Sequence, residues 1–413
     1  MQPENLPTRI YLDLSLLIYA ASHERTPSGI VRVELAYAEY FLTSYPEYVE
    51  FVVLDAFGRL DILDGRRATD IVAAISKYWR ADISSRRAHW RIIWRAHRIY
   101  AELLFQRWGS LGRTVARRNE RATFVISSQL HMERPQQLER LKRSGKVRIV
   151  YFVHDILPVA MPEYFPSAYE GICRRTMSAA ARIADVVVAN SRETARAFRQ
   201  TFAPHRDPAS IVVAPLGVAT DNRPLVDSQS PMRAPYFVMI GTIEPRKNHL
   251  LILNIWRVLR TKHGDAAPHL VIVGARGWEN ENVVDMLERS PMLRSFVHEQ
   301  NLTSDDRMAG LLKGACALLL PSFNEGFGLP LAEALALGVP ALCSDIDVLR
   351  EIGGSVPEYL NPLDGPAWQS AIERYAVPDS LERKAQLERL IGWSAPTWQA
   401  HFATVLPHLE KPC

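Results

Sequence analysis

The sequence reads as an α/β protein built from two doubly wound, Rossmann-like domains. Three observations carry this reading. Short runs of Val, Ile and Leu alternate with helical patterns along the chain; a polar, proline-bearing break at 227–235 interrupts the alternation, which then restarts; and 413 residues are more than one hydrophobic core usually serves. Continuous apolar runs separated by helices point to parallel strands covered on both faces. Sheets of this type bind their ligands beyond the carboxyl ends of the strands.

The elements follow in order. RIYLDLSLLIY (9–19) reads as the first strand, with a helix from Gly29. VEFVVLDAF (49–57), ATFVISS (122–128), KVRIVYFVHD (146–155), ADVVVANS (184–191) and SIVVAPLG (210–217) read as the remaining strands of the first domain. After the break, YFVMIGT (236–242), HLVIVGA (269–275), ACALLLPS (315–322) and VPALCSD (339–345) read as strands of the second, with a helix from Lys247. The domains are placed at 1–230 and 231–393, with a closing helix within 394–413 and a basic aromatic helical insertion at about 79–121.

Composition narrows the class. With 47% hydrophobic and 23% charged residues, the disordered, collagenous and disulfide-scaffold classes are excluded. The four cysteines, Cys173, Cys316, Cys343 and Cys413, are far apart and lack metal-ligand spacing. Cys316 and Cys343 fall in strand patterns, as reduced core thiols do, which fits a reducing cytoplasm. No basic segment leading into an apolar one opens the chain, so a secretory signal is not expected; nor does any run reach the length of a membrane span.

The chemistry concentrates at strand ends. In PSFNEGFGLPLAEALALGVP (321–340) a buried strand runs into a glycine turn and then a helix. Gly326 and Gly328 let the backbone bend sharply and approach a ligand. Pro330 suits the first helical turn. Peptide N–H groups at Gly328 and Leu329 then carry the partial positive charge of a helix N-terminus, an anion site that phosphate commonly fills. Glu325 and Glu333 flank it, and make sense as acceptors for hydroxyls on either side of a diphosphate, the layout of a nucleotide sugar. On the residues alone, Glu325 capping the turn and Glu333 on the helix surface is the competing reading.

Further strand ends support the first reading. In IGTIEPRKNHLLIL (240–253), Gly241 ends a strand and Arg246 and Lys247 open a helix. Cations there oppose the helix dipole unless an anion binds. VIVGARGW (271–278) supplies Gly274 and Arg276. YFVHDILP (151–158) places His154 and Asp155 at a strand's carboxyl end, as site residues or as a satisfied turn. TPSGIVRVE (26–34) opens the first long helix with Ser28 and Gly29, and Arg32 faces either an acceptor or solvent.

NEGFGLPLAEALALGVPALCSD (324–345) resembles the signature of the family-4 retaining glycosyltransferases, two-domain enzymes of the GT-B fold whose domains face each other across a cleft. The resemblance is specific over 231–360 and rests on element order and a few turn residues before that. It implies that Glu325 holds donor-sugar hydroxyls, that the turn of Gly326, Phe327, Gly328 and Leu329 holds the diphosphate, and that Glu333 holds the ribose. It places Lys247 on the phosphates. Many members carry an arginine directly after the glycine corresponding to Gly241; Thr242 stands there here, and Arg246 takes over that task. Gly274 and Arg276 lie by the base, His154 touches the donor sugar, and Gly29 lies near the leaving diphosphate and the acceptor, with Ser28 in place of a more usual glycine. Ser28, Arg32 and Asp155 are the candidates on the acceptor side. The closing helix packs back on the first domain.

The resemblance also implies hexose transfer with retention, with no metal and no cofactor beyond the nucleotide-sugar co-substrate. A GDP-mannose-like donor is favoured, a UDP-sugar next, and a lipid-linked or polysaccharide glycan of a bacterial surface pathway is the expected acceptor. A nucleotide-sugar epimerase of the same fold is an alternative.

The insertion has its own character. From Arg80 to Arg121, eleven arginines stand against Asp82, Glu102 and Glu120, with tryptophans between them. Ile93, His97, Tyr100, Leu104 and Trp108 recur near helical spacing. Arginine and tryptophan on such a helix suit an anionic membrane surface, which places the protein at the cytoplasmic face of the plasma membrane. A helical hairpin packed on the first domain fits the pattern too, and a nucleic-acid-binding protein is the less favoured alternative.

Overall fold

The computed structural model describes residues 9–410, apart from 24–26, 56–57, 83–84, 106–110, 119–120, 130, 134, 144–145, 206, 208–209, 219–234 and 302. Except for Pro235, the break at 227–235 lies outside the described residues, as does the boundary at 230. The chain forms two compact units: Met1–Ile156 with Gly171–Leu216 and Trp398–Cys413, and Leu157–Glu170 with Gly217–Thr397.

The first unit holds a seven-stranded sheet of β1 (Arg9–Asp13), β2 (Val49–Leu54), β3 (Leu60–Leu63), β4 (Ala122–Ile126), β5 (Val147–Val153), β6 (Val186–Ala189) and β7 (Ile211–Val213). Their order is β3-β2-β1-β4-β5-β6-β7, parallel throughout except for β3 against β2. The second unit holds β8 (Tyr236–Ile240), β9 (His269–Val273), β10 (Val297–Gln300), β11 (Leu318–Leu320), β12 (Ala341–Ser344) and β13 (Glu358–Leu360), in the order β10-β9-β8-β11-β12-β13 and all parallel. Each order reverses direction once, between β1 and β4 and between β8 and β11. Those reversals are where doubly wound sheets open a crevice at the strands' carboxyl ends.

Several details depart from the sequence expectation. The apolar run at 9–19 is a strand only to Asp13; α1 (Ser15–His23) follows it. Asp13 turns the chain by accepting a hydrogen bond from the Ser15 peptide N–H at 3.2 Å. β3, β10 and β13 do not stand out in the sequence. All three are edge strands, and an edge strand half-covered on its faces needs no continuous apolar run.

Helices α2 (Gly29–Ser44), α3 (Gly65–Lys77) and α4 (Arg86–Phe105) follow α1. Helix α4 packs on α1 and α3. It buries Ile92, Ala96, Ile99 and Leu103, a stripe one residue out of register with the one read from the sequence. Ile93 and Tyr100 are half-buried and His97 is exposed. The Leu104 side chain and all of Trp108 lie outside the described residues. Trp90 and Trp94 stand 67% and 61% exposed on the opposite face, among Arg87, Arg91, Arg95 and Arg98. No helix among the described residues is long and apolar enough to cross a membrane.

The helix Trp398–Glu410 belongs to the first unit. Phe402 stacks on Tyr40 with ring centroids 3.6 Å apart, and His401 Nε2 lies 2.8 Å from the Tyr37 hydroxyl. Leu157–Glu170 belongs to the second unit, where Tyr164 stacks on Phe323 and its carbonyl accepts from the Trp278 indole at 3.0 Å.

Candidate functional site

The crevice between β8 and β11 gathers most of the residues singled out in the second unit. Strand β8 ends at Ile240, and Gly241 follows with φ +135°, a conformation that glycine alone adopts freely. A Cβ at Gly241 would lie 3.2 Å from Lys247 Cε, so the missing side chain lets the lysine cross the end of the strand. A single 3-10 turn, Pro245–Lys247, and Asn248 in the left-handed region then start the helix His249–His263. Asn248 ties this corner down by donating to the carbonyls of Pro321 and Pro362 at 3.2 and 2.9 Å.

From β11 the chain enters the glycine turn. Glu325 is buried and sits between the two cations: Lys247 Nζ is 2.5 Å from Oε1 and Arg246 Nη1 is 3.0 Å from Oε2. The Ser322 hydroxyl donates to Oε1 at 2.6 Å. Arg246 also pairs with Glu244 at 2.5 Å and donates to the Asn324 carbonyl. Burial pushes the Glu325 carboxyl up, but the charges of Lys247 and Arg246 and the hydrogen bonds outweigh it, and its pKa falls to about 2. Glu244 moves the other way: burial raises it more than Arg246 and Lys247 lower it. Burial lowers Lys247 below its ordinary value against the pull of Glu325. The carboxylate thus fixes the direction of the ammonium while using one of its three N–H donors.

Three residues further on, Gly328 (φ +93°) caps the helix Leu329–Ala336, with Pro330 in its first turn. A Cβ at Gly328 would meet Leu349 Cδ2 at 2.6 Å. Gly326 is half-buried and Phe327 is buried, while Leu329 and Glu333 are half-buried on the helix. Gly274 is glycine for a backbone reason: a Cβ there would lie 2.0 Å from the Gly241 carbonyl oxygen. It locks the loop after β9 against the loop after β8, where Ile243 N–H donates to the Ala275 carbonyl at 2.8 Å. Arg276 spends its guanidinium on Glu299 and Glu288, contacts of 2.9, 2.8 and 2.5 Å that raise its pKa.

In the first unit, His154 follows β5 and is buried against Phe152. Nε2 lies 2.7 Å from the Ser127 carbonyl, which can only accept, so the ring donates from Nε2 and its lone pair is on Nδ1. Burial lowers its pKa to about 4, so the ring is neutral at ordinary pH. Asn190 donates to the His154 carbonyl at 2.9 Å. Asp155 is half-buried. Ser28 precedes α2 without a side-chain capping bond, Gly29 opens the helix exposed, and Arg32 is half-buried one turn in.

Glu244, Asn248, Ser322 and Gly277 are working parts that the sequence reading did not single out. A Cβ at Gly277 would lie 2.6 Å from Thr242 Cγ2. Glu244 was legible as the carboxylate two residues before Arg246; the others act through contacts distant in sequence. Among the described residues, no group of three or more His, Cys, Asp or Glu side chains could hold a metal ion.

Comparison with known proteins gives this arrangement a family. The profile of Glycosyl transferases group 1 matches residues 225–355, and that of Glycosyltransferase Family 4 matches residues 83–222. The chain is similar to the serotype-specific mannosyltransferase WbdA of Escherichia coli, 30% identical over 245 residues, which are 55% of this chain and 29% of that protein. It is similar to O-antigen chain mannosyltransferase B of Escherichia coli, 31% identical over 40% of this chain and 42% of the relative. It also resembles O-antigen chain mannosyltransferase RfbU of Salmonella typhimurium, 33% identical over 36% of this chain and 40% of the relative. The matched regions thus span less than half the length of these relatives.

Among solved structures, it resembles Anabaena Alr3699/HepE in complex with UDP, with TM-score 0.58, 14% identity, and 98% and 97% of the two chains covered. It likewise resembles an α,α-trehalose-phosphate synthase (UDP-forming) from Burkholderia vietnamiensis, with TM-score 0.60, 12% identity, and 99% and 98% covered. At such identities the likeness speaks to fold: two parallel-sheet α/β domains of the GT-B type. With the two profiles matching in chain order over more than half its length, the chain belongs to the family-4 glycosyltransferases, the glycosyl transferases group 1.

Proposed function

We propose that the chain transfers a hexose from a nucleotide-diphosphate sugar to an acceptor hydroxyl with retention at the anomeric carbon. The donor is GDP-mannose-like, and the acceptor is a lipid-linked or polysaccharide glycan. One observation carries the reading: two adjacent cations, the buried Lys247 and the half-buried Arg246, stand at the β8 end and are oriented by Glu325, three residues before the helix start at Gly328. Cations held this way suit an anionic ligand, and the mannosyltransferase relatives supply the sugar.

In the reaction, the bond from the anomeric carbon to the diphosphate oxygen breaks with its electron pair going to the diphosphate. The acceptor oxygen bonds to the same face, and its proton passes to the departing phosphate oxygen. Lys247, Arg246 and the peptide N–H groups at Gly328 and Leu329 meet the growing negative charge already in place, so little reorganisation is needed. Glu333 takes the ribose hydroxyls and the Gly274 loop the base. Glu325 steadies the cations and receives a sugar hydroxyl. His154 accepts a donor-sugar hydroxyl through Nδ1 and moves no proton. Gly29 lies near the leaving diphosphate and the acceptor, and Ser28, Arg32 and Asp155 serve the acceptor side. Incubating the protein with GDP-mannose and octyl α-mannoside and reading the new linkage by NMR tests the proposal. An α-linked product supports it; a β-linked product, or epimerised donor without transfer, contradicts it.

The exposed face of α4 extends the reading to location. Trp90 and Trp94 among four exposed arginines match an anionic lipid surface at the cytoplasmic side of a membrane, each cation contributing about 1 kcal/mol. Co-sedimentation with phosphatidylglycerol vesicles is expected, and its loss when both tryptophans become serine. Equal sedimentation of that variant contradicts the assignment.

A further inference from the structure

The first unit has a switch point of its own, between β1 and β4, and it too is filled with chemistry. β1 ends in Asp13, which is fully buried. Its Oδ1 accepts from the Ser15 hydroxyl at 2.5 Å and from the Ser15 peptide N–H at 3.2 Å. Its Oδ2 accepts from the Ser128 hydroxyl at 3.2 Å and from His131 Nε2 at 2.8 Å. Ser128 and His131 stand in the loop that follows β4. His131 holds a left-handed backbone with φ +70°, which turns the loop after β4 back towards Asp13.

Beside this pair lies a second carboxyl that the donor chemistry does not use. Glu34 of α2 is fully buried, and the peptide N–H groups of Leu16 and Leu17 at the start of α1 point to its carboxyl. Burial and the neighbouring Asp13 hold its pKa well above the ordinary value, so it is a carboxylic acid beside a carboxylate. Tyr100, from the insertion helix α4, stands within electrostatic reach of both Asp13 and Glu34. The chemistry gathered here is that of polyol recognition: fixed donors and acceptors, a neutral carboxyl beside a charged one, and no excess of cations for a phosphate.

We propose that Asp13, Ser128 and His131, with Glu34 behind them, form the acceptor-sugar site of this chain, with His131 Nδ1 meeting a hydroxyl of the incoming glycan. The assignment rests on the transfer reading given above. His131 Nε2 is committed to Asp13, whereas Nδ1 makes no hydrogen bond among the described residues. In a neutral ring Nδ1 offers a lone pair, and in a charged ring an N–H; either meets a hydroxyl. The pair positions the acceptor and takes no proton from it. Because Tyr100 comes from α4, that helix also borders the site.

Two substitutions separate this role from a structural one. His131→Gln places an amide where Nε2 was, so it can keep the bond to Asp13 but lacks Nδ1. His131→Asn keeps a polar atom near Nδ1 and loses the Asp13 bond. With GDP-mannose as donor and octyl α-mannoside as acceptor, His131→Gln is expected to raise the acceptor KM about tenfold or more, as loss of a ligand hydrogen bond does. The donor KM and the slow hydrolysis of GDP-mannose without acceptor stay within about twofold, and His131→Asn retains more acceptor affinity than His131→Gln. The reverse order, with Gln harmless and Asn damaging, marks a purely structural histidine and overturns the proposal, as does an equal loss for donor and acceptor. Saturation-transfer NMR of octyl α-mannoside is run without donor on the full chain. Contact in the unsubstituted protein that is lost in His131→Gln supports the site even if transfer from GDP-mannose fails. No contact in either protein overturns the site even if donor binding succeeds.

Discussion

Two buried glutamates, one beside each switch point, show how the same strand order carries opposite chemistry. Glu325 by β11 and Glu34 beside β1 are both buried, and in both burial is the largest influence on the carboxyl, pushing its pKa up. At Glu325, Lys247 and Arg246 stand within 3.0 Å and reverse the direction, to about 2. At Glu34 the near charge is another carboxylate, Asp13, so the pKa stays well above the ordinary value. Asp13 escapes the same fate because His131 and Ser15 overcome its burial. The sheet fixes where a crevice opens; the reach of a cation decides whether the carboxyl in it is an anion or an acid.

The strongest way to break this comparison is at the cations. Lys247→Ala is expected to lower kcat by about 10² to 10³, the usual cost of one donor aimed at developing charge. Arg246 still neutralises Glu325, so circular dichroism should show an intact fold. Next is the carboxylate. Glu325→Gln leaves the buried Lys247 and the half-buried Arg246 without their shared partner and should cost about 3 kcal/mol in denaturant unfolding. Because its folded pKa is depressed, the stability Glu325 contributes is present above pH 4.5 and is lost as pH falls towards 2. The gap between the unsubstituted protein and Glu325→Gln should therefore close in that window.

Glu34 sharpens the contrast by running the other way. Its folded pKa is raised, so it costs least below pH 4.5 and destabilises increasingly as pH rises towards the folded value. Relative to the unsubstituted protein, Glu34→Gln should gain stability as pH rises above 4.5 towards the folded value, measured as paired unfolding curves. A pH-independent difference would mean that Glu34 is ionised in the fold. The smallest effect belongs to the exposed face: serine at Trp90 and Trp94 should change unfolding stability by less than about 0.5 kcal/mol each, while vesicle binding is lost.

What was legible in the sequence was what is local. The strand, glycine turn, Pro330 and flanking glutamates lie within one short stretch, and Arg246 and Lys247 follow their strand within seven residues. The Asp13–His131 pair joins residues 118 apart, and Glu34 reads as an unremarkable polar position of an amphipathic helix until the fold buries it. The α4 register was ambiguous for a physical reason: Ile92 with Ile93, and Leu103 with Leu104, are adjacent apolar pairs, and periodicity alone cannot choose the member that faces α1. Edge strands β10 and β13 were missed because they lack the continuous apolar run that identifies central ones. Glu325 was read as a sugar ligand; the structure adds that it orients both cations.

The most direct test is isothermal titration of GDP-mannose into the full chain and into Lys247→Ala, with UDP-glucose and free mannose as comparators. Binding of GDP-mannose ahead of both comparators, weakened about a hundredfold or more by the substitution, is the expected result. Equal affinity in both proteins would show that the β8–β11 crevice does not hold the diphosphate.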